Sequence, residues 1–248
     1  MIEALDPWSL DMPPLKAWSH SRIVVFELCR NRAKLAYIDK IPEPPRALPP
    51  GKTEHANDRG TRIHNAAEAF VKGGVELVHE LVHFTEEFHQ LRAMKQVGQV
   101  SLEGEWAFTR EWEATGWMSS TTWSRIKLDA IAFLSKKKAV VIDYKSGKRW
   151  GNEMKHHEQM VLYQLAAFIK FPELEEITVE LWYTDLDEIH SLTYKRHQGL
   201  KFLTNWERRG TEMTACEEFP PNPSKYACRW CPYKPTHLGG TGHCPDGV

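Results

Sequence analysis

No stretch of the 248 residues is apolar for long enough to cross a bilayer. The first ten residues carry acids and no apolar core, so they do not read as a secretory signal. Net charge is almost absent, at −1 from 32 Lys and Arg against 33 Asp and Glu. That excludes a protein basic over its whole surface that holds nucleic acid by bulk charge. No internal repeat is present. Cysteine is sparse, and three of the five are crowded near the C-terminus. Such spacing is not a secreted disulfide framework, and in a cytoplasmic protein it favours metal binding. What remains is an ordinary soluble composition, 42% hydrophobic and 26% charged, long enough for one sizeable core with a small appendage. A cytoplasmic protein is expected, in a host cytoplasm if a phage encodes it.

Charge is unevenly spread. Between residues 120 and 150 stand Arg125, Lys127, Lys136, Lys137, Lys138, Lys145, Lys148 and Arg149, against only Asp129 and Asp143. A local basic surface of this kind binds phosphate backbones, although Lys136 to Lys138 also suit a solvated hairpin tip. Ten tryptophans are many for this length. Trp106, Trp112, Trp117 and Trp123 gather around one loop, where they serve as core or as stacking surfaces for unpaired bases.

Periodicity orders the chain. A helix starts at Ser19-His20-Ser21 and ends near residues 39–42. A proline-rich connector follows over 41–52. Helices are predicted over 54–72, closed by Gly73-Gly74, and over 77–94. The period then changes to two, with strands over 100–110, 123–134 and 139–144, the last mostly apolar and therefore central. A helix over 153–170, strands over 177–184 and 189–194, and a helix over 197–209 complete a mixed α/β pattern with a sheet flanked by helices. Beyond Phe219 the chain turns loop-like. Three regions are expected: 1–95 helical, 96–212 the core, and 213–248 a Cys-containing tail packing back on the first.

Asp143-Tyr144-Lys145 ends the central strand, and alternation puts Asp143 and Lys145 on one face. A carboxylate and an ammonium beside a divalent cation are the parts that hydrolyse a phosphodiester. Asp129 interrupts an apolar and basic alternation in the preceding strand. It needs a partner, either Arg125 or Lys127 or a metal. If the two strands are antiparallel neighbours, Asp129 and Asp143 converge, and two acids suffice for Mg2+. Gly60, His64 and Glu68 share a helix face, with His64 a candidate ligand, Gly60 allowing close packing and Glu68 supporting the imidazole. Gln159 and Tyr163 stand one helical turn apart and suit contacts to phosphate.

With Gly60-Xaa-Xaa-Xaa-His64, Asp129, Asp143-Xaa-Lys145 and Gln159-Xaa-Xaa-Xaa-Tyr163 in this order, the chain resembles the RecB family of PD-(D/E)XK nucleases, over roughly residues 19–244. Ser19 to Cys29 is similar to the opening helix of that family, with Arg30 where many members carry proline. The resemblance implies a restriction-endonuclease-like core and a Mg2+- or Mn2+-dependent exonuclease acting on DNA ends or single strands, with roles in DNA processing, repair or recombination. It implies metal ligation by His64, Asp129, Asp143 and the Tyr144 carbonyl. Lys145 is then the catalytic lysine, with Glu105 a further acid near the site and Glu103 an alternative to it. DNA contacts would come from Gln159, Tyr163, Arg125 and Lys148. Partners would be DNA and recombination or replication proteins, with no membrane. Other readings are a DNA-binding or assembly module with an inactive nuclease fold, and a structure-specific endonuclease.

Cys228-Arg229-Trp230-Cys231 followed by Cys244 has metal-ligand spacing. AddB-type and CRISPR-associated relatives use one early and three late cysteines to hold a [4Fe–4S] cluster. That resemblance implies the set Cys29, Cys228, Cys231 and Cys244. The long gap before Cys244 contains His237 and His243 and leaves Zn2+, or no metal, as alternatives. Cys216 falls outside the pattern.

Overall fold

The computed structural model describes residues 15–45, 47–147 and 149–248. Two short helices open it, α1 (His20–Leu28) and α2 (Arg30–Tyr37), where periodicity predicts one. The break falls at Cys29, whose backbone is extended at φ −161° and ψ 113°. Helix α3 (Ala56–Lys72) ends at Gly73, which takes the left-handed φ of 93° that closes a helix without side-chain strain. The predicted third helix divides into a 3₁₀ turn, His79–Phe84, and α4 (Thr85–Gln96), whose first turn carries Glu86 and Glu87 at the positive end of its dipole.

The strands are β1 (Val100–Phe108), β2 (Ala114–Thr115), β3 (Ser124–Ser135), β4 (Lys138–Lys145), β5 (Glu176–Tyr183) and β6 (Glu188–Lys195). They form one sheet in the order β2-β1-β3-β4-β5-β6. Only the β4–β5 pair is parallel, and its crossover is α5 (Glu153–Lys170). The predicted last helix is broken into α6 (Arg196–Gly199), a 3₁₀ turn and α7 (Leu203–Thr214). A one-turn helix, α8 (Lys225–Cys228), interrupts the tail. Among the described residues, no helix is long and apolar enough to cross a membrane.

Helices cover both faces of the sheet. On one face α1, α5 and α7 bury Trp18, Ile23, Leu165, Phe168 and Trp206 against Ile131, Val141 and Val179. On the other, α3 and α4 bury Ile63, Phe70, Phe88 and Leu91 against Ala130, Ile142, Tyr144 and Trp182. Strand β4 feeds both cores, which is why it reads as a near-continuous apolar run. A third, small cluster joins Leu35 of α2 to Cys231, Tyr233 and Cys244 of the tail. The Tyr233 hydroxyl donates to the Ile41 carbonyl at 3.0 Å.

The sheet forks. Pairing of β3 with β4 runs from Ser135–Lys138 to Ala130–Ile142 and stops. Beyond that point β3 stays with β1 as far as Phe108–Ser124, and β4 stays with β5 as far as Lys145–Tyr183. The edge that β3 exposes past the fork is partly capped by the segment before α1. Trp18 N–H donates to Trp123 O, and Arg125 N–H donates to Trp18 O, both at 2.9 Å. The Trp18 ring is fully buried, stacked on Trp206 at 5.9 Å and edge-on to Trp123 at 5.4 Å. Gly210 of α7 makes room for it, since a Cβ there would lie 2.3 Å from Trp18 Nε1.

Trp18→Ala therefore removes a buried indole and the cap on the fork, and is expected to cost about 3–5 kcal/mol in denaturant unfolding. Gly210→Ala should destabilise through the same cluster. An unchanged midpoint in both variants contradicts this account of the fork.

Candidate active site

Continuing the β3–β4 register by one residue beyond Ala130–Ile142 brings Asp129 and Asp143 side by side. With the ladder ended, the Tyr144 N–H donates to a side chain, Asp129 Oδ2, at 2.7 Å. Asp129 Oδ1 meets His64 Nδ1 at 2.9 Å, so α3 reaches the fork through its imidazole. The Tyr144 ring supports that imidazole edge-on at 5.8 Å. Gly60, one turn earlier on α3, lets the helix approach the strand end: a Cβ there would lie 3.1 Å from Ser146 Oγ.

Asp143 anchors a second set of contacts. Its Oδ1 accepts from the Tyr163 hydroxyl at 3.0 Å, and its Oδ2 is in ion-pair contact with Lys145. Lys145 Nζ also donates to Gln159 Oε1 at 2.6 Å, and Gln159 Nε2 donates to the Tyr163 hydroxyl at 2.6 Å. The four side chains close a ring between β4 and α5. It follows from alternation on a strand and one-turn spacing on a helix.

Two carboxylates in a buried corner raise a charge problem. Burial, and then the charge of Asp143, push the Asp129 carboxyl above the usual range, against the hydrogen bond from His64. Burial opposes protonation of His64, but the hydrogen bond and charge of Asp129 outweigh it and raise its pKa. Burial and the adjacent carboxylates push the Tyr144 and Tyr163 phenols well above their ordinary value, so both stay neutral and Tyr163 can donate to Asp143. Two other histidines border the cleft. Burial, then the charges of Lys155, Arg209 and Lys145, take His20 down to about 4. Burial and then Lys145 do the same to His156, which contacts the Tyr183 hydroxyl at 2.7 Å.

The cleft around these groups is lined by His64, Glu103, Asp129, Asp143, Lys145 and Gln159, among others. Sequence expectations map onto it unevenly. Glu103 lines it, paired with Lys127, whereas Glu105 is exposed two residues further along β1 and outside the lining. The β1–β3 register runs unbroken from Leu102–Ala130 to Gly104–Leu128, which sets Glu103 opposite Asp129 and Glu105 opposite Lys127. Glu68 pairs with Lys72 and leaves the imidazole to Asp129. Neither Arg125 nor Lys127 is the partner of Asp129: Lys127 takes Glu103, and Arg125 donates to the Trp117 carbonyl at 2.9 Å. Tyr163 is buried and faces Asp143, while Gln159 is half-exposed at the cleft wall. Trp106, Trp112 and Trp123 are core, and Trp117 borders the cleft beside Arg125. Lys148 lies outside the described residues. Sequence reasoning missed Lys155, His156 and Arg22. Lys155 and His156 are signalled only by preceding Gln159 on the same helix.

Among the described residues, no group of three or more His, Cys, Asp or Glu side chains is arranged to hold a metal ion as it stands. The site nonetheless suits a cation. Asp143 Oδ2 is buried against the Lys145 ammonium, and two adjacent carboxylates with an imidazole are a donor set for Mg2+ or Mn2+. Cys29, Cys228, Cys231 and Cys244 border one cavity between α2 and the tail, far along the chain from this ring.

A sequence model of the PD-(D/E)XK nuclease superfamily matches residues 17–236. None of the curated proteins compared with the chain matches it. A solved structure, that of SSO0001, aligns with 94% of this chain and 88% of its own at 11% identity and a TM-score of 0.44.

His20 gives a prediction on pH. Its folded pKa of about 4 lies below the ordinary 6.5, so between those values the unfolded chain binds more protons. Its contribution to stability is complete above pH 6.5 and is lost as pH falls towards 4. His20→Asn should flatten the decline of the unfolding midpoint across that window. An equally steep decline in the variant removes His20 as its source.

Proposed function

The chain belongs to the PD-(D/E)XK nuclease superfamily, and on that premise we propose a divalent-metal-dependent deoxyribonuclease of the RecB type, an exonuclease working on DNA ends or single strands. The observation that carries this reading is the meeting of Asp129, Asp143, Lys145 and His64 at the fork of the sheet. In this reading Asp129, Asp143, His64 and the Tyr144 carbonyl hold Mg2+ or Mn2+, which supplies Lewis-acid stabilisation of charge on the phosphodiester. A dication would also offset the burial, and then the charge of Asp143, that lift the Asp129 carboxyl.

The remaining work falls to the ring of side chains. Lys145 has three N–H donors; one is used on Gln159 and one side faces Asp143. A third is left to hold a phosphodiester oxygen or orient the attacking water. Gln159 gives one amide hydrogen to Tyr163 and keeps the other for the strand. Tyr163 reaches the reaction only through Asp143, as a positioning residue that fixes the carboxylate. The His64 imidazole fixes Asp129 in the same way from α3.

We propose a [4Fe–4S] cluster on Cys29, Cys228, Cys231 and Cys244, stapling the tail of residues 213–248 to the N-terminal helices. All four cysteines border one cavity. The Asn222 N–H and the Asn31 amide donate to the sulfurs of Cys29 and Cys244, both at 3.4 Å, the kind of hydrogen bond that tunes a cluster's sulfur ligands. His237 and His243 do not border that cavity, and His243 is bonded to Thr241, which favours a four-thiolate group over Cys₃His zinc.

Asp143→Asn and Lys145→Ala are expected to lower cleavage of end-labelled DNA with Mn2+ about 10²-fold or more, with unchanged melting. Linear DNA should be degraded and circular DNA spared; full activity of either variant ends the proposal. Anaerobically purified protein should contain iron and absorb in the visible, and Cys231→Ser should lose both and melt lower. Colourless protein with stoichiometric zinc overturns the cluster.

A further inference from the structure

The cleft continues past Lys145 and Gln159 into a second arm, between α1, β3 and α5, and its charge differs in kind. Among the described residues no carboxylate lines this arm, whereas Arg22, Arg125, Lys127, Lys145 and Lys155 all do. Two of the five are neutralised within the protein, Lys127 by Glu103 and Lys145 by Asp143. The other three have no carboxylate partner among the described residues. Arg22 donates to the Ala17 carbonyl at 3.1 Å and lies over the Tyr37 ring at 4.9 Å. Arg125 donates to the Trp117 carbonyl and lies over its indole at 5.6 Å. Lys155 is exposed and makes no hydrogen bond or ion pair among the described residues. Arg209, by contrast, is buried and takes both Glu27 and Glu158.

Three unpaired cations from three separate elements therefore converge on one concavity. They repel one another: burial and then the charge of Arg125 oppose the charge of Arg22. Such an arrangement is stabilised by an anion that enters from outside. The wall beside Arg125 is Trp117, half-exposed, which offers a ring face to a base.

We propose that this arm is a phosphate-and-base subsite for the nucleotide next to the scissile bond. Arg22, Arg125 and Lys155 hold the phosphate, and Trp117 stacks the base. The proposal rests on the reading of the protein as a DNA nuclease and adds where the strand lies relative to the carboxylates. The phosphate is either an internal diester or a terminal monoester, since both present the same oxygens.

The test is binding of a labelled single-stranded oligonucleotide to the full chain in EDTA, across a salt series, so that cleavage plays no part. Lys155→Ala should bind more weakly and lower the slope of log affinity against log salt by about 0.7, the value for one phosphate contact on a single strand. Arg22→Gln combined with Lys155→Ala should lower it by about twice that, and Arg22→Lys should keep the parent slope. Trp117→Ala should lose roughly fivefold in affinity or more with no change of slope. Lys155→Ala with parent affinity and slope overturns the subsite, and its exposed position keeps the fold out of the result. A terminal phosphate that strengthens binding to the parent but not to the variants assigns a monoester; equal affinities with and without it, alongside the lowered slope, assign an internal diester. Parent protein that binds in this way yet cleaves nothing with Mn2+ sinks the nuclease reading and leaves the subsite standing.

Discussion

The early end of the β3–β4 ladder is the constraint on which the rest depends. While two strands stay paired, their backbone donors are spent on each other, and side chains alternate above and below a continuous surface. Once pairing stops after Ala130–Ile142, the Tyr144 N–H is free to bond the Asp129 carboxylate. Asp129 and Asp143 then face a gap rather than a sheet face. The gap also has to be paid for structurally, and the N-terminal segment meets part of that cost through the backbone bonds of Trp18. The indole cluster around Trp18 holds that cap and leaves the fork open on its other side.

Charge is sorted around the fork. Carboxylates gather where α3 meets the ends of β3 and β4, and cations without partners gather where α1 and α5 face β3. Lys145 stands between the two, bonded to both Asp143 and Gln159. A chain of almost zero net charge thus carries a strongly polarised cleft, because opposite charges separated within a concave, partly desolvated surface do not cancel locally. The depressed pKa values of His20 and His156 report the same positive field after the effect of burial.

The tail is tied to the N-terminal helices through little apolar surface. Leu35, Ile41 and Tyr233 form a small cluster, and Tyr233 bonds the Ile41 carbonyl. The break between α1 and α2 falls on Cys29, which borders one cavity with Cys228, Cys231 and Cys244. Hydrophobic periodicity runs on through that break, so it predicts a single helix where the chain makes two.

The sequence by itself determined the order of the elements, the membership of β4 in the core, and the common face of Asp143 and Lys145. Those properties are local: they follow from periods of two and 3.6 and from composition. It also made Asp129, His64, Gln159 and Tyr163 candidates, because a carboxylate in an apolar strand and polar groups spaced by one helical turn need partners. Only the tertiary structure decided who those partners are. Asp129 takes His64 rather than Lys127, Glu68 takes Lys72, and Glu103 rather than Glu105 enters the cleft because the β1–β3 register sets it opposite Asp129. Arg22 and Lys155, some 130 positions apart in the chain, share a wall for the same reason. Such pairings depend on where one strand stops bonding its neighbour and which segment fills the edge it leaves, and no local pattern of residues encodes that.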